Sequence, residues 1–185
     1  YQEPATNRVT PFLRQHMESM VRLGSALSSF DVVSTIGIIH DVPPEVSDAY
    51  AALEMVANTV KPLVVLVSDE KAFPAVLDLL AYLSGDPAAT PEEGERRSDG
   101  LASKPFVLPY LNPISPLVIN GGTAAKMFAA IDRGLPIIYS NYGMAGASTP
   151  ITPAGALALL NAELLAGLVL SQLIREGTPV VLGSL

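Results

Sequence analysis

Two stretches hold most of the residues in this 185-residue chain whose types could do chemistry. One is Leu111-Asn112-Pro113-Ile114-Ser115-Pro116-Leu117, and the other runs from Ser140 to Ser171, SNYGMAGASTPITPAGALALLNAELLAGLVLS. The second joins the apolar run Pro136-Ile137-Ile138-Tyr139 to a long helix that Thr152 and Pro153 open as N-cap and first-turn proline. Between them Gly143, Gly146, Ser148, Thr149 and Pro150 occupy irregular backbone, which costs ordering entropy without building core. Junctions of this kind are where parallel α/β proteins hold ligands. Tyr110, Tyr139 and Tyr142 lie in or just after the late strands, and aromatic faces suit a desolvated quaternary ammonium ion. For Tyr110 and Tyr139 core packing is the competing reading, because alternation sends some strand side chains toward the helices. Tyr142 lies in the loop itself and is the stronger ligand contact.

The remaining candidates stand directly after predicted strands: His40 and Asp41, Ser68 and Asp69, Asn112 and Ser115, Asn141, and Ser184. Asp69 and Asp41 also suit helix N-caps, and His40 suits either a neutral hydrogen-bonded imidazole or a catalytic role. Gly143, Met144, Gly146, Ser148 and Thr149 form the loop that would face a substrate or a partner. The turn Asn120-Gly121-Gly122-Thr123 puts a helix N-terminus where its N–H groups could receive a carboxylate. Asn161 falls beside the apolar stripe of the long helix, where it could pin the Gly143–Thr149 loop or bond a neighbouring backbone; Glu163 lies in the same helix.

Composition excludes several classes. The formal net charge is −7, with no basic stripe, which argues against nucleic acid or an anionic membrane as partner. There is no cysteine and there are two histidines, His16 and His40, so no closed metal shell can form from these ligands alone. The absence of cysteine is consistent with cytoplasm. No run of 18 unbroken apolar residues and no export signal is visible. The G-x-S-x-G elbow, the phosphate-loop pattern and the H-E-x-x-H pair are all missing, and no lysine falls at a predicted strand end to serve as a Schiff-base nucleophile.

Helix and strand alternate around these loops. Thr10-Pro11 opens a helix with Leu13, Met17, Met20, Gly24 and Leu27 on its face, followed by a strand over 31–39. A helix from Pro43-Pro44 carries Val46, Ala49, Tyr50, Leu53 and Val56, and 62–67 reads as a short strand buried on both faces. A helix from Ser68-Asp69 presents Phe73, Val76, Leu77, Leu80 and Leu83 and ends at Gly85. Residues 86–104 read as a solvated excursion. Strands at 106–111, 136–140 and 179–182 are separated by helices at 122–133 and 153–175, the latter with Leu157, Leu160, Leu164 and Leu168 as its buried stripe. An apolar content of 49% suffices for a sizeable core. The rhythm argues for an α/β fold with a parallel sheet and right-handed crossovers, and the termini read as those of one piece cut from a larger protein.

The wording of residues 110–120 and 139–172 resembles the trimethylamine methyltransferase family of corrinoid-dependent methyltransferases, which includes glycine betaine methyltransferases. The resemblance implies part of a TIM (β/α)8 barrel, with about five of its strands present in a single incomplete domain, 1–185. It implies an enzyme that moves a methyl group from a methylated amine, trimethylamine or a quaternary amine such as glycine betaine, to cobalt. The trimethylamine branch uses pyrrolysine, and none stands in this sequence, which leans toward the quaternary amine. Tyr142, Asn141, Tyr139, Tyr110, Asn112, Ser115, His40 and Asp41 are the substrate-binding candidates. Cobalamin-binding domains show D-x-H-x-x-G, which His40-Asp41 does not match, so the corrinoid (cobalamin) is expected on a separate protein, with no cofactor or metal bound by this chain. A barrel arc leaves two open sheet edges, so self-association into a homo-oligomer is expected. The competing readings are another TIM-barrel enzyme of unrelated chemistry and a non-enzymatic α/β ligand-binding or assembly domain.

Overall fold

The computed structural model describes residues 1–85, 101 and 105–184. Two units, Tyr1–Gly100 and Leu101–Leu185, each fold around their own contacts. In both, helices alternate with strands and, among the described residues, the strands pair in parallel, which is the α/β class expected from the sequence.

The first unit contains α1 (Arg14–Ala26), β1 (Val33–Ser34), a 3₁₀ turn (Pro44–Val46), α2 (Ser47–Asn58), β2 (Leu63–Val65) and α3 (Phe73–Leu83). All three β2 residues are buried, as a parallel strand covered on both faces requires. The strand expected over 31–39 shrinks to two residues paired with β2, and Ile36 and Ile38 are exposed. Thr35 is the reason: its hydroxyl accepts the Leu66 N–H at 3.1 Å, where the ladder would need a backbone carbonyl, so pairing stops. The face of α1 is Met17 and Val21, with Met20 and Leu27 exposed. The 3₁₀ turn delays α2 and shifts its phase, so Ser47, Ala51, Ala52 and Met55 are buried in place of the expected Val46-to-Val56 set. In α3, Ala81 replaces the expected Leu83 on the buried face, while Gly85 stands at φ +78°, as a left-handed helix terminus needs. The excursion at 86–104 lies outside the described residues except for Leu101, which is fully buried and not solvated.

The second unit carries the two loops. It contains β3 (Val107–Leu111), α4 (Gly121–Asp132), β4 (Ile137–Asn141), α5 (Pro153–Ile174) and β5 (Val180–Ser184), with β4 paired to both β3 and β5. The Asn120 carboxamide accepts the Thr123 N–H at 2.7 Å and caps α4, and Gly134 ends that helix at φ +71°. Burial alternates along β3, with Val107, Pro109 and Leu111 covered and Leu108 and Tyr110 half-buried. Parallel register pairs Leu111 with Tyr139 and Tyr110 with Ile138, so Tyr139 shares the covered face and Tyr110 the opposite one.

Helix α5 is held to the covered face by small residues. A side chain at Gly167 would run into the Tyr139 ring, so the helix backbone lies directly on that ring. Buried along it are Glu163, Gly167 and Ser171, while Leu157 is exposed and Leu160, Leu164 and Leu168 are only half-buried. Its 22 residues, with an 18-residue stretch of mean hydropathy 1.8, are long and apolar enough to cross a membrane by length and composition. Contact with Tyr139 and the polar bonds of Glu163 fix it instead as a layer helix of the α/β unit.

Candidate functional site

Glu163, buried in α5, binds both loops at the ends of β3 and β4. Its side chain is 2% exposed. Oε1 accepts the Leu117 N–H at 2.7 Å, and Oε2 accepts the Ser115 hydroxyl at 2.8 Å and the Asn141 amide at 2.7 Å. The second Asn141 amide hydrogen goes to the Leu160 carbonyl at 2.8 Å, so both of its donors are used on α5. A carboxylate has no donor of its own, and three converging donors are what a buried one requires.

Each loop also closes on itself. In the β3–α4 loop, Ile114 and Val118 exchange backbone bonds of 2.8 and 3.1 Å around Ser115-Pro116-Leu117, and the Thr123 hydroxyl donates to the Asn112 carbonyl at 2.8 Å. Leu117 stands at φ +60°, a conformation unfavourable for a leucine, and its N–H is the one Glu163 holds. In the β4–α5 loop the Met144 carbonyl accepts from Ala147, Ser148 and Thr149, the Ser148 hydroxyl accepts the Met144 N–H at 3.0 Å, and Gly146 turns at φ +80°. A side chain at Gly143 would collide with the ends of the Thr149 and Leu160 side chains, so the loop lies close against α5 there and a larger residue would displace them. Ile114, Leu117, Tyr142, Met144 and Ile151 remain exposed on the two loops, an apolar rim over a polar interior.

That interior contains two orphaned polar atoms. Tyr139 is fully buried with no partner for its hydroxyl, and Asn141, equally buried, has no donor to its Oδ1. Burial pushes the Tyr139 phenol up to about 12, and the nearby Glu163 carboxylate adds to the shift.

The three tyrosines do not meet. Tyr139 lies under α5, Tyr110 on the opposite sheet face, and Tyr142 is 60% exposed in the loop. Asn112 contributes mainly its carbonyl, to Thr123, and makes a 3.3 Å amide contact with Pro113; Ser115 joins the Glu163 cluster. Asn161, expected beside the buried stripe, is exposed, because the buried face of α5 runs through Glu163 and Gly167. Ser184 is exposed at the end of β5. In the first unit, Asp41 accepts the Arg14 N–H at 3.0 Å and so caps α1, a distant helix, and not the one that follows it. Asp69 does not cap α3, whose N-cap is Ala72; it accepts the Lys71 N–H at 3.0 Å, and Asp48 takes the Ser68 N–H at 2.9 Å. Exposed His40 lines an open cleft of about 600 Å³ with Glu45, Asp48, Ser68 and Asp69. Among the described residues no group of three or more His, Asp or Glu could hold a metal ion. Glu163 is not among the site residues expected from the sequence; its one signal there is a carboxylate inside an otherwise uncharged helix.

Residues 2–185 match the family model described as trimethylamine methyltransferase (MTTB). The trimethylamine methyltransferase MttB of Desulfitobacterium hafniense (strain DSM 10664 / DCB-2) is 30% identical over 182 residues, 98% of this chain and 34% of that protein. The glycine betaine methyltransferase of Desulfitobacterium hafniense (strain Y51) is 37% identical over 86 residues, 46% of this chain and 18% of the relative. The MttB of Methanosarcina thermophila is 35% identical over 104 residues, 56% of this chain and 19% of the relative. The chain therefore spans at most about a third of the length of these relatives.

Proposed function

Because this chain belongs to the trimethylamine methyltransferase family, we propose that it forms part of an enzyme that takes a methyl group from a quaternary amine of the glycine betaine type. In that enzyme its parallel strands are an arc of a (β/α)8 barrel, and the loops after β3 and β4 form part of the mouth. The observation that carries the reading is the pair of loops clamped on Glu163, which presents Tyr142 outward at a strand end. An aromatic face at that place attracts a cation that has lost part of its water. A quaternary nitrogen leaves as a neutral amine when its C–N bond breaks with the electron pair staying on nitrogen, so the chain need supply no proton. Its task is to orient the methyl carbon and exclude water.

The acceptor in this reading is a reduced corrinoid, a cobalt nucleophile carried as co-substrate by a separate protein; these 185 residues contain no D-x-H-x-x-G pattern. Ile114, Leu117, Met144 and Ile151 give the mouth an apolar rim suited to a docking protein. The full-length enzyme is tested with a methylated amine in the presence and absence of a reduced corrinoid protein, following cobalt absorbance and amine demethylation. Methyl transfer that requires the corrinoid protein supports the proposal. Demethylation at full rate without it refutes the acceptor, and trimethylamine turning over while quaternary amines do not refutes the substrate.

A further inference from the structure

The two mouth loops are far apart in sequence, yet one carboxylate serves both. Glu163 holds Ser115 and Leu117 of the first loop and Asn141 at the root of the second, with bonds of 2.7 to 2.8 Å. The bond to Leu117 sustains a left-handed backbone that a leucine would not adopt unaided. The bonds to Asn141 fix the residue that immediately precedes Tyr142, and Gly143 next to it is pressed against Leu160 of the same helix. Neither loop has an equivalent anchor elsewhere on α5 among the hydrogen bonds of the described side chains: Leu160 contributes only a carbonyl, to the same Asn141.

We infer that Glu163 is the positioning residue of the mouth: its carboxylate ties the Ile114–Val118 turn to the Asn141 side chain, so that the two loops are set and released as one unit. The acceptor character of the group is the essential chemistry. All of its partners present hydrogens, and an amide in the same place would offer one oxygen and an NH₂ to three donors. The Ser115 hydroxyl can reverse and accept; the Leu117 N–H cannot, and the Asn141 carboxamide can do so only by a flip that turns its oxygen onto the Leu160 carbonyl, so a hydrogen bond is lost whichever way the amide lies.

The linkage itself does not depend on the methyl-transfer reading; its consequence for substrate does. Both are tested in the full-length protein with Glu163→Gln, with Ser115→Ala as a milder variant that removes a single donor. Backbone hydrogen exchange is the first measurement. Glu163→Gln is expected to speed exchange of the Leu117 amide at least tenfold and of the Gly146–Thr149 amides at least fivefold, with the β3–β4 ladder unchanged. Ser115→Ala, which does not touch the second loop, is expected to speed the Gly146–Thr149 amides about threefold. Acceleration confined to the first loop in both variants overturns the inference, as does no acceleration. If Glu163→Gln loosens the ladder too, Ser115→Ala alone decides. The second measurement is steady-state methyl transfer by Glu163→Gln. A positioning role raises KM for the methylated amine at least fivefold with kcat within threefold of the parent, whereas lowered thermal stability with unchanged KM overturns that role. A parent enzyme that transfers no methyl group refutes the proposed function while leaving the exchange result to judge the linkage.

Discussion

Replacing Tyr139 by phenylalanine is expected to stabilise the protein, although it removes a polar group from the centre of a unit. The phenol is fully buried and its hydroxyl has no partner. An unpaired buried hydroxyl costs about 1–3 kcal/mol of desolvation. Against this stands the volume of one oxygen atom left behind, about 0.5 kcal/mol at ~24 cal/mol per Å³. The net gain at pH 7 is about 1 kcal/mol, read from urea midpoints at unchanged slope. A second signature follows from the phenol's acidity, which burial shifts from 10 to about 12. The folded state therefore holds this proton more tightly than the unfolded chain, so the associated stability is fully present below pH 10 and lost between pH 10 and about 12. The loss is on the order of a few kcal/mol. The phenylalanine variant lacks it, and its advantage over the parent should widen across that interval. A variant less stable than the parent by 1 kcal/mol or more at pH 7, or one with an unchanged alkaline limb, would refute the orphaned-hydroxyl account.

Gly167→Ala drives a methyl group into the Tyr139 ring and should cost about 1–3 kcal/mol, seen as a lower urea midpoint that Tyr139→Phe does not restore, since the ring remains. Asn120→Ala removes the cap of α4 and should cost about 1 kcal/mol by the same measurement. Tyr142→Ala is expected to weaken binding of a quaternary amine by about 0.5–2 kcal/mol in calorimetry while Tyr142→Phe stays near the parent; equal affinity in both variants would remove Tyr142 from the site.

The order of elements was legible because parallel strands leave a strong mark: Leu63-Val64-Val65 is apolar on both faces and is buried on both. Punctuation was equally readable at Gly85, expected to end its helix and found there at φ +78°. Element lengths were not, because they depend on partners distant in sequence. The Thr35 hydroxyl ends a strand by intercepting the N–H of Leu66, just past β2, and Asp41 caps a helix that begins 27 residues before it. No local pattern encodes either. For Asp41 and Asp69 the residue type correctly suggested bonding to a backbone N–H, and the error lay in which N–H.

Helix α5 is where hydrophobic periodicity misled, for an identifiable reason. Leucines and alanines surround this helix, so apolarity carries no information about which side is buried, and the Leu157-to-Leu168 stripe was the natural choice. The sheet selects a different side because Tyr139 stands on it and only a glycine lets a helix backbone reach that ring. Once Gly167 faces β4, one helical turn toward the N-terminus necessarily carries position 163 over the strand end, where the loops bring their N–H and O–H groups. A leucine at 163 would leave those donors buried and unpaired, so the carboxylate follows from the packing below it. The buried face of α5 is therefore marked by Gly167 and Ser171 along the sheet and by the helix's single carboxylate, Glu163, where it meets the loops.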